Sequence, residues 1–520
     1  MNKKSAFRSV AIVTIATAFT FLFSFQIKAF GHTNAAIPML KIKGAQADTL
    51  TTAYQIAMGD IFTSIRPYKD GLLKTEMPVL AAGVNYPSPW TRDAGVTVQL
   101  AGAQLFPDIA KNTLVSMLTI DNQTKKVRIG QQYWDSPIWT IGAWQQYLLS
   151  DDKEFLKLSL EATINQLQKL EFDEFEPEKG LFRGGSFFQD GVSAYPDVYA
   201  QQGDKGETRW NSGIEQWVDV NPGKRAKNGF GLPMMALSTN CIYYKAYTLV
   251  DSMATVLKKD ISWFKASQKA AALKQNINKH FWNNTTHKYL YLVDPLGNCD
   301  YQEGAGIAMA ILFGVADRQQ AEYLFANTHI EPAGLPCIYP AFPRYSNAEK
   351  TSYGRHSGTI WPQVNGYWVL AAAKYNKEKI VDFELRNLAH IAVRDCQFYE
   401  ILHPVTGLPY GGMQETTSEG MKCWDACKRQ TWCATAYVSM MLNAVAGMNF
   451  NTSGVTFNPI MTGKMQEIKL TNIVYRHAVL NLKISGTGSQ LKSFRLNGVS
   501  TKPFIPANAT GNMDIEITMY

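Results

Sequence analysis

No cysteine precedes Cys241. A bacterial lipoprotein needs a cysteine at its signal cleavage site, so lipid anchoring there is excluded. No stretch clusters basic residues into a stripe, which argues against a nucleic-acid partner. Charge is sparse, at 18% Asp, Glu, Lys and Arg, too little for a disordered polyelectrolyte. Sequence repeats are lacking, which disfavours an open α-solenoid. Cys423 and Cys427 are four apart, but neither a second such pair nor a His-x-x-x-His follows, so a zinc site is disfavoured. The seven cysteines are an odd number, leaving at least one unpaired. Buried thiols or one or two disulfides fit them better.

What is present begins with a leader. Lys3, Lys4, Arg8 and Lys28 lie in the first 31 residues, which hold no acid, and they carry much of the formal charge of +8. An uncharged run from Val10 to Phe25 is followed by small Ala29 and Gly31. This is the pattern of a secretory signal over residues 1–31, and the run is short for a bilayer span. The expectation is an exported chain, secreted or periplasmic, with no stable membrane anchor.

With 520 residues, 46% of them hydrophobic, the chain can bury a large core and form more than one domain. Apolar residues recur at three- and four-residue spacing in twelve segments: Leu50–Ile65, Thr97–Leu105, Pro107–Leu118, Ile138–Leu149, Lys153–Leu170, Leu237–Val256, Ser262–His280, Gly304–Phe313, Arg318–Ala326, Gly358–Tyr375, Glu378–Arg394 and Gln430–Ala446. Pro107, Ser150-Asp151-Asp152 and Asp260-Ile261-Ser262 are start signals. Short connections make paired helices antiparallel. Six such hairpins can close into an (α/α)6 toroid, expected over residues 32–448. After residue 449 the period changes to two, as in Leu480–Ile484 and Ile515–Met519, and Asn497-Gly498 is a hairpin turn. A small C-terminal antiparallel β-domain is expected over residues 449–520, so the fold class is mostly α with a β appendage.

The chemistry-bearing residues lie in aromatic and Gly-rich stretches between the helices. Asp190 stands in Gly-Gly-Ser-Phe-Phe-Gln-Asp-Gly, with Phe187, Phe188 and Tyr195 near in sequence. Glu400 stands in Phe-Tyr-Glu-Ile-Leu-His-Pro-Val-Thr-Gly, and Glu415 in Gly-Gly-Met-Gln-Glu is its rival. Two carboxyl groups facing one sugar can cleave a glycosidic bond: one protonates the leaving oxygen and the other activates water. They suffice, so no metal or organic cofactor is implied. Arg92 and Asp93 in Trp90-Thr91-Arg92-Asp93 can hold vicinal hydroxyls, with Trp90 as a stacking face. Asp135 lies in Tyr-Trp-Asp-Ser-Pro-Ile-Trp, ending at Trp139; it suits sugar hydroxyls or a helix cap. Glu303 at a helix start suits ligand binding or the helix dipole. His356 and Trp361 introduce a further helix as pocket residues.

These motifs together resemble the six-hairpin inverting glycosidases, above all the trehalase and processing α-glucosidase group and its bacterial relatives. The Glu-x-x-x-Pro-x-Thr-Gly stretch and the Trp-Cys-Ala-Thr-Ala helix are similar to the base segment of that group, which maps the base onto Glu400. An Asp in an aromatic loop maps the acid onto Asp190. The resemblance implies hydrolysis of an α-linked glycoside, or an oligosaccharide containing one, with inversion. Two other readings stand beside it. A polysaccharide lyase of toroid fold would use Tyr353 or His356 as base and Arg355 to neutralise a uronate. A non-catalytic glycan-binding protein would keep the aromatics and need neither carboxylate.

Overall fold

A computed structural model describes residues 37–130, 134–201, 233–416, 420–462 and 465–520. The expected signal, residues 1–31, lies outside the described residues. Every helical segment expected from periodicity is present. In chain order the helices are α1 (Ala47–Thr63), α2 (Thr91–Thr97), α3 (Pro107–Val115), α4 (Ile138–Ser150), α5 (Lys153–Glu174), α6 (Leu237–Leu257), α7 (Ala266–Phe281), α8 (Gly304–Phe313), α9 (Arg318–Asn327), α10 (Pro362–Lys374), α11 (Glu378–Asp395) and α12 (Thr431–Ser439). Helices α2 and α12 each run on into a π-helical turn, Val98–Gly102 and Met440–Val445. Two of the three start signals act as read, whereas Asp260 accepts Ser262 N–H ahead of a 3-10 turn (Ser262–Phe264) and α7 begins at Ala266 without a side-chain cap. Pro107 opens α3, and the Asp152 carboxylate caps α5 by accepting Phe155 N–H at 2.9 Å.

The helices sort into two kinds. Helices α2, α4, α6, α8, α10 and α12 pack each on the next, and α12 packs back on α2. Helices α2 and α12 are buried at every position, and α8 from Gly304 to Ile311, as expected of helices enclosed on all sides. Helices α7 and α11 bury one face only, with Leu273, Ile277 and Phe281 on the first and Val381, Leu385 and Leu388 on the second. Helix α7 lies against α6, and α11 against α10 and α1. Small residues let the enclosed helices approach. A Cβ at Gly142 would stand 2.7 Å from the Gly95 carbonyl oxygen, so the crossing of α2 and α4 leaves no room for a side chain there.

The C-terminal region is a sheet packed on the helices, but it is not wholly antiparallel. Strand β1 (Met39–Gly44) precedes the helices; β2 (Met448–Asn451), β3 (Gly454–Phe457), β4 (Met465–Tyr475), β5 (His477–Ser485), β6 (Leu491–Leu496), β7 (Val499–Ser500), β8 (Phe504–Pro506) and β9 (Thr510–Met519) follow them. Six form one sheet in the order β1-β4-β5-β9-β6-β7, and β2-β3-β8 form another. Strands β5 and β9 pair in parallel, with Leu482 opposite Ile515. Alternation of side chains reports which face is buried, not the direction of the neighbour, so the parallel pair left no mark on the period. The N-terminal β1 supplies an edge of this sheet, with Leu40 opposite Leu470. All seven cysteines are free thiols.

Candidate active site

Contacts join the N-terminal ends of the enclosed helices: Arg92 with Asp135, Ser238 with Glu303, Trp361 with Trp432 and Gln430 with Asp93. Arg92 and Asp93 open α2, Asp135 precedes α4, Ser238 opens α6, Glu303 precedes α8, Trp361 precedes α10 and Gln430 precedes α12. Helix N-termini carry partial positive charge, so these ends can accommodate acidic side chains. The loops that bear Asp190 and Glu400 join them. Gly184 bridges to Met235 just before α6, and Leu402 bridges to Ile360 just before α10.

Arg92 organises the acid-bearing loop. Its Nε lies 2.6 Å from Asp135 Oδ2 and its Nη1 3.4 Å from Asp190 Oδ2. Asp135 also accepts the Phe188 N–H at 2.9 Å. That bond holds Phe188 in the left-handed region at φ 56°, a conformation unfavourable for a bulky residue. The Phe188 ring is turned inward, 5.0 Å from Trp361 and 6.0 Å from both His356 and Trp432. The turn aims Asp190 outward, with its side chain 30% exposed. The aromatic neighbours read in sequence therefore form a floor beneath the loop, while a guanidinium flanks the carboxyl.

Glu400 is held differently. Its side chain is 5% exposed, and Oε2 lies 3.0 Å from Arg355 Nη2. Arg355 also donates to Gly411 O at 3.2 Å and lies between the rings of Trp361 and Trp424 at 5.5 and 6.0 Å. The Glu400 N–H donates to Cys427 O at 2.9 Å. Burial and the nearby Glu400 carboxylate push the Cys427 thiol up to about 11 and raise the Tyr86 hydroxyl.

Asp93 joins the two halves. Burial pushes its carboxyl up to about 7; Arg92 opposes this, and repulsion from both Glu400 and Asp190 adds to it. Gln430 Nε2 approaches its Oδ1 at 3.4 Å. Both carboxylates thus act on one residue, from segments far apart in the chain.

The other residues singled out in sequence fall into distinct places. Glu415 has both oxygens engaged, one by Arg344 Nε at 2.8 Å and one by the Tyr345 hydroxyl. Arg344 in turn binds Asp197 at 2.5 Å and the carbonyls of Val192 and Tyr195. Tyr195 is fully buried; its hydroxyl accepts Ser186 N–H at 2.8 Å and donates to Gln189 O at 2.6 Å, latching the loop from beneath. Glu303 binds the Ser186 hydroxyl and the Ser238 N–H, and burial pushes it up to about 7. His356 is buried and stacked on Trp361 with centroids 5.0 Å apart, and Ser193 Oγ lies 3.2 Å from its Nδ1. Burial, with Arg355 and Arg92 nearby, lowers the imidazole well below its ordinary value. Trp139 is fully buried and donates to Leu114 O at 3.0 Å. Of Trp90, Trp139 and Trp361, Trp90 has an open face, at 45% exposure.

Sequence reasoning missed Asp60 and Arg344. Asp60 carried a signal: it is a lone acid in the apolar run Ala57-Met58-Gly59-Asp60-Ile61-Phe62. Arg344 left none.

Comparison with known proteins identifies a family. Residues 87–418 match the model of the mannosylglycerate hydrolase MGH1-like glycoside hydrolase domain. Among solved structures, a protein described as a sialidase has a TM-score of 0.63 at 14% identity, covering 91% of this chain and 42% of that one. The GH63 mannosylglycerate hydrolase of Thermus thermophilus, in complex with Tris and D-glycerate, has a TM-score of 0.55 at 13% identity, covering 75% of this chain and 100% of that one. The GH78 family rhamnosidase of Bacillus sp. GL1 has a TM-score of 0.52 at 11% identity, covering 93% and 44%. The chain thus spans under half the length of the sialidase and of the rhamnosidase. No curated protein matches the sequence. The fold is helix-rich with a C-terminal β region, and the matched domain is that of a glycoside hydrolase. The chain belongs to the MGH1-like glycoside hydrolase family.

Proposed function

We propose that the protein hydrolyses a small α-linked glycoside with inversion, with Asp190 as general acid and Glu400 as general base. The observation that carries this is a chain of contacts that joins the two carboxylates: Asp190 pairs with Arg92, the neighbouring Asp93 accepts from Gln430, and Gln430 N–H donates to Phe398 O two residues before Glu400. In an inverting enzyme the two carboxyl groups stand about 6.5–9.5 Å apart, leaving space for the attacking water. Asp190, on the exposed side, gives its proton to the leaving oxygen. Glu400, on the enclosed side, takes a proton from water on the opposite face of the sugar. Glu400 is favoured over Glu415 because Arg344 and Tyr345 already engage both oxygens of Glu415. Arg92, Asp93 and Asp135 would bind hydroxyls of the terminal sugar, with Trp90 beside them.

The scaffold we infer is an (α/α)6 toroid, supported by the closed cycle of contacts among the six enclosed helices. Within the six-hairpin glycosidases we place the chain beside the trehalase and processing α-glucosidase group. The leader pattern supports export. A lyase reading loses support because Arg355, which would have to neutralise a uronate, is paired with Glu400.

A panel of aryl α-glycosides, disaccharides and mannosylglycerate tests the proposal. Purified protein releases a reducing sugar from at least one of them, and Asp190→Asn abolishes the release. Full activity in that variant removes Asp190 from the mechanism.

A further inference from the structure

Each of the two carboxylate-bearing segments is pinned at the same place. Asp135 accepts the N–H of Phe188, two residues before Asp190, and a second buried aspartate does the same two residues before Glu400. That residue is Asp60 of α1. Its side chain is buried, and Oδ2 accepts the Phe398 N–H at 2.7 Å. Beside the Arg355–Glu400 pair and the Cys433 thiol, which donates to Glu400 O at 3.7 Å, most other ties on this segment are main-chain bonds. Gln430 N–H donates to Phe398 O at 3.0 Å, Glu400 N–H to Cys427 O at 2.9 Å, and Ile360 and Leu402 exchange both bonds at 2.9 and 3.0 Å. Asp60 therefore supplies, from α1, the side-chain tie on the backbone of this strip ahead of Glu400.

We propose that Asp60 is a positioning residue for hydrolysis, fixing through the Phe398 N–H the height at which Glu400 stands in the site. This rests on Glu400 being the base.

Two features argue that the contact is not simply a way of satisfying the backbone. A buried carboxylate is an unfavourable choice where any neutral acceptor would do. Burial pushes Asp60 up to about 7 despite the Phe398 N–H and Arg429, whose Nη1 lies 3.6 Å from Oδ1. What a carboxylate adds is a stronger bond and a more sharply defined geometry than a neutral acceptor gives. The Phe398 ring is itself buried, 5.5 Å from Tyr437 on α12. A loosened N–H would let the strip pivot about this ring and move Glu400. A displacement of about 1 Å at a reacting group can lower the rate on the order of 10²-fold.

The test compares Asp60→Ala, Asp60→Asn and Glu400→Gln on the best substrate of the panel. Asp60→Ala is expected to lower kcat by about 10–100-fold with KM within about threefold. Asp60→Asn keeps an acceptor oxygen but a weaker bond, and is expected to recover only part of that loss, leaving kcat about 3–10-fold below the wild type. Exchange of the amides in residues 396–402 is expected to be faster in Asp60→Asn than in the wild type, and unchanged in α2. Asp60→Ala that folds with full kcat overturns the proposal. If Asp60→Ala does not fold, Asp60→Asn decides, and full kcat with unchanged exchange in 396–402 overturns it. Glu400→Gln separates the two claims. An active Glu400→Gln defeats the base assignment, whereas an inactive one beside a fully active Asp60→Ala defeats only the positioning role.

Discussion

The two carboxylate segments are anchored alike and exposed unlike. In each, a buried aspartate accepts the N–H two residues upstream of the carboxylate, Asp190 or Glu400. Yet Asp190 has a 30% exposed side chain and shares Arg92 with Asp135, whereas Glu400 is 5% exposed and held by an arginine that its own neighbours enclose. The contrast fits a division of labour. On the proposed roles, a proton donor that must meet leaving groups of varied shape would stand at the open side. A base that must hold one water at a fixed distance would stand on a strip bonded at several points.

The sharpest way to break this comparison is to remove each carboxyl alone. Asp190→Asn and Glu400→Gln should each lower kcat by about 10²–10⁴-fold, measured on the best panel substrate. The double variant should lose little more than the worse single one, because the two groups act as a unit. Additive losses would mean that they serve separate steps. Arg92→Lys comes next, with an expected loss of about 10–100-fold, since a lysine cannot hold Asp135 and Asp190 in one planar fork. Its effect should exceed that of Glu415→Gln, whose side chain touches Arg344 and Tyr345 rather than the other acids.

Smaller effects sharpen the role of the floor beneath Asp190. Tyr195→Phe leaves the Ser186 N–H without its acceptor and should destabilise the fold by about 1–3 kcal/mol in chemical denaturation, with a fall in kcat of only a few fold. The smallest effect is a pH effect on stability away from the acids of the mechanism. Glu384 is buried, accepts Leu335 N–H and Asn365 Nδ2, and is pushed up by burial to about 8. An acid raised on folding stabilises most below its unfolded value and loses that contribution as pH rises through the folded one. The wild-type Tm should therefore fall between about pH 5 and 8, and Glu384→Gln should reduce the fall. An unchanged slope in that variant would show that Glu384 is not among its causes.

The helices were legible because burial writes a period of 3.6 into a chain that must enclose one layer with another. Pro107, Asp152 and the Asn497-Gly498 turn between β6 and β7 marked boundaries for local reasons that need no tertiary knowledge. The parallel pairing of β5 and β9 and the recruitment of β1 were not legible, because a strand's period does not name its partner. Proximity in sequence misled in one way. Phe187, Phe188 and Tyr195 lie near Asp190 along the chain, yet all three are buried. The left-handed turn at Phe188 sends ring and carboxyl to opposite sides. Asp60 and Arg344 act on residues distant in the chain, so their importance appears only once it is folded.

The measurement that bears most directly on the account follows the first-formed anomer of the released sugar by proton NMR, before mutarotation. Two carboxyl groups on opposite faces of one sugar, with water between sugar and Glu400, predict release in the anomeric form opposite to that of the bond cleaved. Release with the anomeric form retained would contradict the account, because it requires one of the carboxylates to attack the sugar itself.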